Sequence, residues 1–130
     1  VEEYDHEMEQ YDPDRGPETD EWLDLDETER MILVEDCHRR HRIRMPSIEG
    51  HAVIHTIVEN QLALKEPVVV ATLARLRSEG LGRHDAVHAI GSVLANHIQA
   101  LLAGDQKEEE TNARYYEALG KFSAGEWRAS

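Results

Sequence analysis

Four histidines carry the chemistry this chain can be expected to do: His51 and His55, then His84 and His88, each pair four residues apart. On an α-helix that step puts both imidazoles on one face, the spacing with which a single helix grips a metal ion. Glu59 lies a further four residues on and adds a carboxylate to the His51/His55 face, as a fifth ligand or as a hydrogen-bond partner behind one. Four neutral imidazoles and one carboxylate suit zinc, and also iron, nickel or manganese. Zinc leads, because four ligands are enough for it. The plainer reading is a set of core histidines hydrogen-bonded to backbone, to carboxylates or to one another.

Other candidates are weaker. Glu35, His38 and His41 lie near the end of an earlier helical stretch, where a basic helix terminus accounts for both histidines by itself. Cys37 precedes His38, but helix neighbours point about 100° apart, so adjacency does not make a nucleophile–base pair. A plain buried or half-buried thiol is expected there. His84-Asp85 invites comparison with metal-dependent phosphohydrolases that use a His, a His-Asp pair and a later Asp; Asp105, at a helix cap, does not supply the last. A metal-dependent hydrolase therefore stays a minor alternative, and whether the chain is an enzyme at all is open. His6 and His97 receive no role. The chain has no Gly-rich phosphate loop, nucleophile elbow or CxxC motif.

The elements that must position these residues are helical. Asp24 or Asp26 can cap a first helix running to about His41, Asp24 and Glu27 having capping-box spacing. Met45-Pro46 breaks it, and Ser47 caps a second helix from Ile48 to about Lys65. A third starts at Pro67 and stops near Gly80, and a fourth runs from about Arg83 to Ala103. Asp105 caps a fifth, from Gln106 to Leu119. Short links predict an all-α, up-down helical bundle of four to five helices. In that topology the second and fourth helices are parallel, and both histidine pairs, in the first two turns of each, reach one level of the core.

The formal net charge of -13 belongs to one end. Residues 1–29 hold 14 acidic side chains and one basic, Arg15; the remainder is balanced. Few aliphatic residues precede Trp22, so residues 1–22 are expected to be a disordered acidic leader. Residues 23–120 then form the bundle and 121–130 an irregular tail anchored by Trp127. The leader could bind a basic protein partner, or the Arg39–Arg44 run in cis or in another chain. A neutral body offers no attraction for nucleic acid, and no apolar stretch is long enough for a membrane. A single cysteine favours a reducing compartment, with cytoplasmic the default, and a homodimer is plausible for so small a bundle.

The stretch His51-Ala-Val-Ile-His55, Asn60-Gln61-Leu62, Pro67 and His84-Asp-Ala-Val-His88 resembles a bacterial family of small helical domains of unknown function. The resemblance covers about Ser47 to Ile98, and Ala124-Gly-Glu-Trp-Arg128 looks like a related ending. It implies a helical fold and singles out His51, His55, His84 and His88; it lends no activity. Two readings remain: a bundle binding a metal ion, zinc or iron, through His pairs on two parallel helices, or a non-enzymatic interaction domain with a hydrogen-bonded histidine core.

Overall fold

The computed structural model describes residues 10–40, 48–104 and 107–129. Among these residues there are seven helices and no strand: α1 Thr19–Asp24, α2 Glu27–Arg40, α3 Ile48–Ala63, α4 Pro67–Ser78, α5 Arg83–Leu102, α6 Glu108–Lys121 and α7 Ala124–Ala129. The all-α expectation is met. Two short helices, α1 and α7, were not expected.

Local chemistry sets the boundaries. The Glu18 carboxylate accepts from the amides of Asp20 and Glu21, each at 3.0 Å, and so caps α1. Before α2 the capping box is Asp26 with Glu29, not Asp24 with Glu27: the Glu29 amide donates to Asp26 Oδ1 at 2.8 Å and the Asp26 amide to Glu29 Oε1 at 2.9 Å. Asp24 is instead the last residue of α1. Pro67 starts α4, where its missing N–H costs nothing. The N-cap of α6 is Lys107; Asp105, like Ser47, His41 and residues 42–44, lies outside the described residues.

The expected leader boundary at residue 22 is too late. Tyr11 and Trp22 are both fully buried and pack at a ring-centroid distance of 5.6 Å. Their burial, and polar anchors for the chain between them, order residues 10–22 despite their charge. Residues 1–9 lie outside the described residues. Arg40 donates to the Tyr11 carbonyl at 3.1 Å, so the basic end of α2 does hold this segment. Likewise the tail is not irregular throughout: α7 buries Ala124 against the core, where its amide donates to Glu79 at 2.8 Å.

Helix direction differs from an up-down bundle in the place that matters most. Glu59 pairs with Arg83, His55 lies beside His84 and His88, and a Cβ at Gly91 would meet Ile54 at 3.1 Å. Rising numbers on α3 therefore meet falling numbers on α5. These helices are antiparallel, not parallel. The intervening α4 packs on both and cannot be antiparallel to each, as an up-down bundle requires. Gly91, lacking a side chain, lets α3 and α5 approach closely.

Two apolar clusters flank α3. One gathers Val58 with Val69, Leu76, Ala86, Val87, Ile90, Tyr115 and Leu119 from α4, α5 and α6. The other joins Tyr11, Trp22, Leu25, Val34 and Cys37 to Ala52 and Ala63. Cys37 is a buried thiol, and burial pushes its pKa up, away from nucleophile character.

Candidate metal centre

Between the two clusters five imidazoles meet. His88 Nε2 lies 3.2 Å from His38 Nε2, 3.2 Å from His51 Nε2 and 3.1 Å from His84 Nε2. His55 closes the group, its ring centroid 4.9 Å from that of His88 and 5.2 Å from that of His38. One nitrogen from each of His38, His55, His84 and His88 falls within 4.8 Å of all the others. The last turn of α2 thus faces the N-terminal halves of α3 and α5.

Protons can be placed on two of these rings. His38 Nδ1 sits 2.8 Å from the Val34 carbonyl, which only accepts, so Nδ1 carries the proton and Nε2 turns a lone pair toward the other histidines. Tyr11 donates its hydroxyl proton to Glu59, and its oxygen lies 2.7 Å from His55 Nε2. Since that hydroxyl proton is already engaged, His55 Nε2 is the donor and Nδ1 bears the lone pair. His55 Nδ1 is buried and has no hydrogen-bond partner. A buried acceptor left so is rare and costly unless something else fills its place.

Glu59 stands one hydrogen bond behind His55. It is 1% exposed, and its two oxygens take Arg83 in a bidentate pair, both contacts at 2.8 Å. With both oxygens so held and Tyr11 donating to one, the carboxylate is committed away from the imidazoles. Burial and the Glu59 charge push the Tyr11 pKa well up, which keeps the phenol a donor. Arg83 also donates to the Pro13 carbonyl at 2.8 Å, tying the N-terminal segment over this end.

The surroundings favour the neutral form of His51, His55 and His88. Burial pushes the His88 pKa down to about 3, with His84, His51 and His38 adding repulsion. His55 is held well below the usual range by burial and then by its histidine neighbours, and His51 is lowered by burial and by His84. Neutral imidazole is the form that ligates metal.

The four histidines singled out in the sequence do come together, but the central group differs from the expected set. His38, set aside as part of a basic helix end, is fully buried among them, whereas His51 stands at the margin. Val34, Cys37 and His38 share a buried stripe at helical spacing, the one signal that could have raised His38. Arg83 also had a signal: a cation in a helix's first turn opposes the dipole and needs a partner. Tyr11 had none. The convergent group among the described residues contains no carboxylate, and Asp85 is exposed. His97 instead bonds the Val93 carbonyl at 2.9 Å through Nδ1. Comparison with protein-family models, with curated proteins and with solved structures finds no match for this chain.

Proposed function

We propose that this protein binds one transition-metal ion, zinc or a close relative, through His38, His55, His84 and His88, with His51 as a fifth imidazole at the edge. The observation that carries this reading is the crowding at His88 Nε2, which meets three imidazole nitrogens at 3.1–3.2 Å. One ring nitrogen has one lone pair or one proton, so a hydrogen bond accounts for one of those contacts and leaves two. Nitrogens bound to one tetrahedral zinc at 2.0–2.1 Å lie about 3.3 Å apart, close to the spacing found here. The unpartnered His55 Nδ1 supports the same reading. So does the outward hydrogen bond of His38 to Val34, which fixes the tautomer as the outer partners of metal-bound histidines do.

The donor set is all imidazole, which suits zinc, copper, iron or nickel and disfavours magnesium and calcium. The test is metal content in protein purified without a histidine tag, followed by zinc titration of the stripped protein. One ion per chain is expected. His88→Ala and His38→Ala should lose uptake, and His97→Ala should keep it. Stripped native protein that takes up no zinc, iron, nickel or copper would reduce the site to a hydrogen-bonded histidine core, the interaction-domain alternative.

A further inference from the structure

A cavity of about 540 Å³ opens against the histidines, with His51, His55 and His88 along one side. Its other walls are mostly apolar: Ile54, Val87, Gly91, Ala95 and the Trp127 side chain, with Ser92 and Gln99 as polar points. The size falls in the range of small-molecule sites. Charge adds the second constraint. Imidazole ligates a metal in its neutral form, and among the described residues the one buried carboxylate nearby, Glu59, is already neutralised by Arg83. Asp14, which accepts from the His84 amide, and Asp85 are both exposed. A divalent ion held here would keep its charge uncompensated in a place of low dielectric.

We infer that the cavity receives a small monoanion with an apolar body, its anionic oxygen directed to the metal and its hydrocarbon part lying between α3 and α5. This rests on the metal reading. The head group supplies the missing negative charge, and the small side chain of Ala95 leaves room for the body. His51, within the cavity wall but outside the four-histidine group, is placed to contact the head group rather than to complete the metal's protein ligands.

The experiment uses the full chain loaded with cobalt(II), whose visible absorption reports its coordination, with cobalt content measured separately. Octanoate should shift the spectrum saturably, and acetate should bind at least tenfold more weakly. Metal-stripped protein, followed by Trp127 fluorescence, should bind octanoate at least tenfold more weakly than the loaded form. Ala95→Trp fills the cavity; it should retain cobalt and lose the octanoate response, and Ala95→Leu, a milder filling, should weaken it. Cobalt bound but a spectrum unmoved by octanoate, or moved equally by acetate, would overturn the cavity proposal and leave the metal site standing. An Ala95→Leu protein that holds cobalt and responds like the native one would also overturn it. Failure to bind cobalt, zinc, iron, nickel or copper would remove both readings together.

Discussion

At the scale of single residues, the site is defined by which proton sits where. Tyr11 lies between the Glu59 carboxylate and His55 Nε2, and so holds the imidazole with its other nitrogen free. Tyr11→Phe keeps the ring packing on Trp22 but leaves the His55 N–H without an acceptor. The loss of stability should be about 1–3 kcal/mol by urea denaturation, and zinc affinity should fall roughly 10–100-fold in a competition titration. An unchanged zinc affinity would show that Tyr11 merely fills space. Protonation gives a second test, made on metal-free protein. The unfolded chain takes up a proton at His88 near pH 6.5, while the folded chain refuses it until about 3. The unfolded state therefore binds more protons in that window, and stability, complete above the unfolded value, is lost as pH falls through it. Each excluded proton contributes a slope of at most about 1.4 kcal/mol per pH unit. His51 and His55 act in the same direction. Denaturation midpoints should fall between pH 7 and pH 4, and less steeply for His88→Gln; an equal slope in the variant would show that other groups set the dependence.

At the scale of elements, helix positions were largely legible in the sequence and helix directions were not. Pro67, Gly80 and Gly104 punctuate the chain through local backbone chemistry, which any short window contains. The direction of α5 relative to α3 depends on how α4 packs on both, and no local pattern records a packing angle. The histidines nonetheless converge, because their faces are apolar on either topology; the expected meeting was right and its parallel geometry was wrong. The segment around Tyr11 was hidden for another reason: its anchors are long-range, to Glu59, Arg83 and Arg40. Gly16 shows how tightly that segment is fitted. Its φ is +78°, and a Cβ there would stand 2.7 Å from the Arg83 guanidinium carbon. Gly104 has a similar φ of +81° with nothing within 4 Å. Gly104→Ala should cost only the left-handed strain, about 1–2 kcal/mol. Gly16→Ala should cost more, because it also displaces a buried cation from its carboxylate. Equal midpoints for the two variants would mean that Arg83 yields freely.

At the scale of the molecule, the histidines occupy the seam between two unequal cores. The larger cluster, built from α3 to α7, contains large apolar residues such as Ile90, Leu76 and Tyr115. The smaller one, which holds α1, α2 and the Tyr11 segment, has only seven buried apolar residues among those described, and three of them are alanine or cysteine. It is joined to the rest through Asn60, which accepts from Trp22 at 2.9 Å and Arg30 at 3.1 Å, through Glu59, and through His38. A metal ion bound by His38 of α2 together with His55, His84 and His88 would fasten the weaker part to the stronger one. Binding to the folded state alone adds about 4 kcal/mol at a thousandfold excess over Kd, which should raise the melting temperature by on the order of 10 °C. Hydrogen exchange separates a clasp from general stabilisation. Stripping the metal should speed amide exchange across residues 19–40 by at least tenfold, because that part opens locally once His38 is released. Amides in the middle of α5 and in α6, inside the larger cluster, should change much less. A uniform change along the chain would mean that the two cores open as one unit, and that the ion stabilises the fold without acting as a clasp between its parts.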